Sequence, residues 1–156
     1  MACLRLSLRL DSLDATNAHG ARLAAALRPG DAVLLRGPYG AGKTALARAT
    51  LRALAGDPTL DVPSPSYTLV QTYDTFLGPV HHFDLWRLDG PAAVAELGWD
   101  EAREGIVLAE WPERLGDLRP ADALEIALEL VSEPGGEPEG ETTRRATLTG
   151  WPERSL

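Results

Sequence analysis

The residues Gly37-Pro38-Tyr39-Gly40-Ala41-Gly42-Lys43-Thr44 fit the spacing G-x-x-x-x-G-K-[ST], and their types suit one task, the grip of a polyphosphate. Glycines let a loop curl until successive backbone N–H groups converge on phosphate oxygens, and a helix starting there adds its positive N-terminal end. In such a loop Lys43 would reach the β- and γ-phosphates and the Thr44 hydroxyl would ligate Mg²⁺. The plainer alternative is a glycine-rich turn that happens to precede Lys-Thr. From average residue usage, a chance match in a chain of this size is on the order of one in a hundred. Of the 15 basic residues all but Lys43 are Arg. A chain that otherwise uses the planar guanidinium therefore places its sole compact ammonium inside the motif.

The elements around the motif are those it needs. Asp31-Ala32-Val33-Leu34-Leu35-Arg36 reads as a buried parallel strand, and Thr44 to Leu54 as an Ala/Leu/Arg helix. Hydrolysis would also need an acid on the metal side and a group to orient water. Two acids follow apolar strands, Asp84 and Glu110. Gly105-Ile106-Val107-Leu108-Ala109-Glu110 is a continuous apolar run that delivers its carboxylate at a C-terminal strand end, where ligands sit in open α/β sheets. Glu110 is therefore the choice for the Mg²⁺ side, directly or through a water, with Asp84 on a neighbouring strand supporting the metal water or positioning the attacking one. A strand-end cap or a surface acid is the bland reading of each. His81 and His82 point to opposite strand faces, so at most one enters the core or cleft. Trp86 and Trp111 are by default core or interface aromatics, although Trp111, next to Glu110, would line the cleft mouth.

The nucleotide is narrowed by what is missing. A guanine signature N-K-x-D is impossible with Lys43 as the only lysine, and no D-x-x-G follows the loop. A small-molecule kinase would want an Arg-bearing lid, for which Arg103, Arg114 and Arg119 are available but scattered.

At 156 residues the chain suits a single domain, residues 1–156, with a substantial core. No run is long and apolar enough for a membrane span, and the Met-Ala-Cys-Leu-Arg start lacks a signal peptide's apolar core, which points to the cytoplasm. Cys3 alone permits neither an intramolecular disulfide nor a cysteine-rich zinc site. A net charge of −8 argues against a protein that holds nucleic acid by itself over a broad basic face.

Leu4 to Leu10 alternates as an edge strand, and Asp11 to Thr16 offers capping residues before a helix from Ala18 to Leu27 that Pro29-Gly30 ends. The prolines of Val62 to Thr68 make a hydroxyl-rich loop. Leu69 to Asp74 and Val80 to Trp86 read as a hairpin, so the sheet should be mixed. Pro91 to Leu97 is a short helix stopped by Gly98, followed by a turn from Trp99 to Arg103. Leu124 to Leu130 reads as an outer strand and Arg144 to Leu148 as a last short one. Ser132 to Glu141 is acidic with no apolar anchor, so 132–142 is expected to be a mobile connection. The expected class is α/β, a P-loop NTPase-like three-layer sandwich with a mixed, mainly parallel sheet and helices on both faces.

Five blocks in order resemble one family. Gly-x-x-Gly-Ala-Gly-Lys-Thr, Val62-Pro63-Ser64-Pro65-Ser66-Tyr67-Thr68-Leu69-Val70, His82-Phe83-Asp84-Leu85-Trp86-Arg87-Leu88, Glu96-Leu97-Gly98 and Glu110-Trp111-Pro112-Glu113-Arg114 have the order and spacing of TsaE, the small bacterial ATPase of tRNA threonylcarbamoyladenosine synthesis. The resemblance implies an ATP/ADP- and Mg²⁺-binding protein that joins a TsaD–TsaB pair and resets it between turnovers, meeting tRNA only through that complex, with no part for DNA or a membrane. Thr44 and Glu110 match the family's Mg²⁺ ligands and Asp84 its active-site acid, with Lys43 as the third catalytic residue. Tyr39, Gly40, Ala41, Gly42, Lys43, Thr44 and Ala45 match its phosphate loop. Ser64, Ser66 and Thr68 match its switch-like loop, and Ser12, Asp14, Thr16 and Arg144 the region that holds the base end of the nucleotide. Pro38 and Tyr39 replace an acidic-Leu pair, Ala45 a second Thr, Ser66 a Thr and Trp86 a Tyr. Pro38 removes one backbone donor from the loop.

Overall fold

The computed structural model describes residues 4–131 and 143–151, so the acidic stretch 132–142 and Cys3 lie outside the described residues. In chain order the strands are β1 (Leu4–Leu10), β2 (Ala32–Arg36), β3 (Val70–Thr75), β4 (Gly78–Asp84), β5 (Ile106–Glu110), β6 (Leu124–Leu130) and β7 (Arg144–Gly150). The helices are α1 (Leu13–Ala26), α2 (Lys43–Ala55), α3 (Pro91–Glu96) and α4 (Trp99–Ala102), with 3₁₀ turns over Pro112–Leu118. All seven strands form one sheet in the order β1-β7-β6-β2-β5-β4-β3.

Parallel pairing occupies the centre, β6-β2-β5-β4, while β7 runs antiparallel to β6 and β1, and β3 to β4. Both faces are covered. On one, Leu23 of α1 and Leu46 and Leu51 of α2 pack on Val33, Leu35, Leu108 and Ile126. On the other, Val94, Trp99, Ala102 and Leu115 pack on Leu34, Phe83, Val107 and Ala109. Successive residues of a strand point to opposite faces, so two covered faces explain why β2 and β5 are continuous apolar runs. Phe83 and Trp99 meet edge to face with centroids 5.2 Å apart, worth about 0.5–1.5 kcal/mol beyond burial. The α/β sandwich expected from the sequence is the fold that forms.

Some boundaries differ from expectation. Helix α1 starts at Leu13, well before Ala18, because Ser12 itself is the cap: its Oγ accepts from Ala15 N at 3.1 Å. Strand β6 is not an outer strand but lies between β2 and β7. Its alternation has a different cause. Leu124, Ile126 and Leu128 are buried while Glu125, Ala127 and Glu129 face the less covered side, and alternation reports covered faces, not neighbouring edges. Strand β7 runs seven residues, to Gly150, because it pairs along its length with both β1 and β6. The hairpin turn is only Phe76-Leu77, so Gly78 and Pro79 already belong to β4. No helix among the described residues is long and apolar enough to cross a membrane.

Candidate nucleotide site

Strand β2 lies between β5 and β6, so the chain leaving its C-terminal end enters the crevice where the connections part to opposite sides. That chain is the glycine loop. Two of its glycines are sterically required. A Cβ on Gly37 would stand 2.4 Å from Leu128 O, and Gly42, at φ 100°, packs so closely that a Cβ there would lie 3.1 Å from Arg144 Cδ and Nε. Helix α2 begins immediately after Gly42, and its first residue is Lys43.

Lys43 is buried and its Nζ donates to Gly37 O and, at 3.0 Å, to Pro38 O. Pro38 has no N–H to offer the loop, but its carbonyl helps to hold the lysine. The ammonium also sits 4.1 Å from the centroid of the Trp111 ring. Burial pushes its pKa below the ordinary lysine value, against the opposing pull of Glu110, Asp84 and Glu113. A desolvated ammonium of this kind is a strong ligand for an anion.

The carboxylates come from two neighbouring strands in register, Asp84 opposite Glu110. Both are nearly enclosed, at 5% and 3% exposure. The Thr44 hydroxyl lies 2.9 Å from Glu110 Oε1 and 3.0 Å from Oε2, and His82 Nε2 lies 2.6 Å from Oε2. Asp84 faces the loop instead. Its Oδ2 accepts from Ser66 Oγ at 3.2 Å and Ser64 Oγ at 3.4 Å, and its Oδ1 accepts from Trp86 N at 3.1 Å. Immediately after Glu110, Trp111 adopts left-handed backbone angles, φ 60° and ψ 55°, unusual for a bulky residue and costing about 1–3 kcal/mol. That turn lays the Trp111 ring over Lys43 and against Trp86, with centroids 4.4 Å apart.

Together these groups border a cleft of about 760 Å³, within the range of small-molecule sites. Of the loop residues expected at the site, Tyr39, Gly40, Gly42, Lys43, Thr44 and Ala45 line the cleft, while Ala41 is fully buried behind it. Ser64, Ser66, Asp84, Glu110 and Trp111 line it too. Arg144 reaches it from β7, its buried Nε without a partner among the described residues. Ser12, Asp14, Thr16 and Thr68 are not among the lining residues. Ser12 and Thr16 are bonded to each other at the start of α1, and the Thr68 hydroxyl accepts from Gln71 Nε2 at 3.1 Å. The cleft also holds Tyr67, Trp86 and Arg87, which residue types alone did not select. His82 is the other addition. Its parity on β4 with Asp84 was the available signal, but only the strand's orientation decides which histidine turns inward.

A parallel strand, a glycine loop with left-handed Gly42, a helix opened by Lys43-Thr44 and a carboxylate at the neighbouring strand end define the class of P-loop nucleotide-binding proteins. The model of the family described as "Threonylcarbamoyl adenosine biosynthesis protein TsaE" matches residues 10–136. The chain belongs to the TsaE family. It is 40% identical over 112 residues to a tRNA threonylcarbamoyladenosine biosynthesis protein TsaE of Rickettsia felis, covering 71% of this chain and 65% of that one. It is 36% identical to the corresponding protein of Rickettsia bellii, covering 85% and 92%. For Bacillus subtilis TsaE the identity is 30%, covering 83% and 80%. The crystal structure of Bacillus subtilis YdiB superposes with a TM-score of 0.76 at 27% identity, over 96% of this chain and 88% of that one.

Proposed function

We propose that the chain is a Mg²⁺-dependent ATPase of the tRNA threonylcarbamoyladenosine machinery, weak alone, whose hydrolysis of ATP to ADP resets a TsaD–TsaB complex in the cytoplasm. The observation that carries the reading is the oxygen pair of Thr44 and Glu110, 2.9 Å apart beside the buried ammonium of Lys43. Adjacent ligands of an octahedral Mg²⁺ at 2.0–2.1 Å stand about 3 Å apart, so the two oxygens fit one hard cation. No group of three or more His, Cys, Asp or Glu that could hold a metal occurs among the described residues. That suits a cation shared with substrate phosphates and water rather than a dedicated protein cage.

In this reading Thr44 and Glu110 hold the cation, which when bound neutralises charge on the phosphate oxygens. Lys43 and the loop amides grip the phosphates, and the Arg144 Nε, without a partner among the described residues, adds a donor beside Gly42. Asp84 orients water once Ser64 and Ser66 release it. Ser12, Asp14 and Thr16 remain assigned to the base end. The partners and the indirect meeting with tRNA follow from the family resemblance, and residues 1–156 act as one domain. Phosphate release from ATP, measured with Mg²⁺ alone and after adding TsaB and TsaD with and without tRNA, tests this. The expected result is a low rate that rises with the partners and disappears in EDTA; no release under any of these conditions overturns it.

A second reading, in which bound nucleotide sets partner affinity and turnover is incidental, is favoured by the serines that tie loop 62–68 to Asp84. It predicts different partner affinities with ADP and with a non-hydrolysable ATP analogue. The kinase alternative gains nothing from its three arginines: Arg103 bonds Gly30 O, Arg119 pairs with Glu125, Arg114 stands against Trp86 and its carbonyl, and none of the three lines the cleft.

A further inference from the structure

We propose that His82 is a positioning residue for Glu110, and that it, rather than the backbone alone, sets how well the site takes a divalent cation. The inference rests on the reading of Glu110 as the metal-side acid.

His82 is fully enclosed on β4, on the same strand face as Asp84, and its Nε2 lies 2.6 Å from Glu110 Oε2. The geometry is that of a ring N–H donating to a carboxylate oxygen. The other ring nitrogen, Nδ1, is buried with no partner among the described residues. An apolar residue is the ordinary occupant of such a position, as Val80 is two residues earlier. The bond to Glu110 is the contact of this ring that a leucine could not make. His81, on the opposite face, bonds Thr72 instead and has no such role.

The bond divides the labour of the two carboxylate oxygens. Oε2 is held from beneath by His82, whereas among the described residues the partner of Oε1 is the Thr44 hydroxyl. Oε1 is therefore the oxygen that can turn to a cation together with Thr44. Without His82 the carboxylate keeps, among the described residues, its contacts to Thr44, the group that must itself rearrange. Donors behind a ligating group commonly tune metal affinity 10–100-fold, approximately.

The test measures binding rather than turnover: affinity for a fluorescent non-hydrolysable ATP analogue across a Mg²⁺ titration and in EDTA. His82→Leu is expected to raise the half-saturating Mg²⁺ concentration about 10–100-fold while affinity in EDTA stays within about twofold. His82→Gln, whose amide N–H can replace Nε2–H, should lie nearer wild type. In a Glu110→Gln background His82→Leu should shift the Mg²⁺ midpoint no further. His82→Asn, too short to reach Oε2, should behave as His82→Leu and decides the matter if the leucine variant does not fold. An unchanged Mg²⁺ midpoint, an equal loss in EDTA, or the same shift with Glu110→Gln overturns the inference. A wild type indifferent to Mg²⁺ removes the metal reading and this inference together, whereas a Mg²⁺-dependent wild type with an indifferent His82 variant removes only the latter.

Discussion

The floor and the rim of the cleft are built differently. On the floor, Lys43, Asp84 and Glu110, with His82 behind Glu110, are each no more than 5% exposed and stand at or near the ends of buried strands or on the first turn of α2. On the rim, Tyr39 is 94%, Tyr67 87% and Trp86 52% exposed, and the loop beneath them is fastened by serine hydroxyls at 3.2–3.4 Å from Asp84. The floor's positions are set by sheet register and by a core that cannot shift cheaply. The rim's are set by a few partly buried side-chain hydrogen bonds on a loop whose Ser64, Tyr67 and Thr68 face solvent. Under the proposed function, chemistry that needs fixed charges would belong to the first, and response to nucleotide state to the second. Asp84 belongs to both, since it stands on the floor and holds the rim.

The largest effect should come from the floor. Lys43→Ala removes a buried cation aimed at phosphate and should cost about 2–5 kcal/mol of nucleotide binding, a loss of roughly 30-fold or more by isothermal titration. Retained affinity would mean that the loop grips phosphate through its amides alone. Gly42→Ala should come next, because φ 100° is strained for alanine and its Cβ presses on Arg144. About 1–3 kcal/mol should be lost from stability in denaturant unfolding, with nucleotide affinity falling alongside. Ser64→Ala with Ser66→Ala should loosen the rim, and free Asp84 Oδ2, without unfolding the floor. Faster amide exchange across 62–68 is expected with unfolding stability changed by less than about 1 kcal/mol, and a global loss would merge rim with floor.

The smallest effect lies outside the cleft. His19 is buried on α1 with both ring nitrogens unpartnered among the described residues. Burial first, and Arg22 second, hold its pKa below the ordinary 6.5. The unfolded chain therefore binds the proton first as pH falls, so stability is lost below about 6.5 and is flat with respect to this group above it. His81, also lowered by burial, adds in the same direction. His19→Leu should flatten the acid side of the stability–pH curve without altering nucleotide affinity at pH 7.5.

Much of the floor was legible in sequence because its devices are local. The glycine spacing, the solitary lysine and an apolar run ending in Glu110 each carry their meaning within a few residues. The start of α1 was misplaced because Ser12 was one of several capping candidates, and only its bond to Ala15 selects it. The place of β6 was misjudged because pairing partners are not encoded in alternation. Residue type does not choose between His81 and His82; parity with Asp84 favours His82, and the orientation of β4 turns it inward. The rim was the least legible part: Tyr67, Trp86 and Arg87 come together through loops whose paths no periodicity fixes.

The most direct test of the division between floor and rim is Glu110→Ala, assayed in parallel for nucleotide affinity in EDTA and for Mg²⁺-dependent phosphate release with partner proteins saturating. Affinity within about threefold of wild type and turnover lowered about 100-fold or more are expected, as for loss of a principal electrostatic group. Turnover equal to wild type would contradict that division.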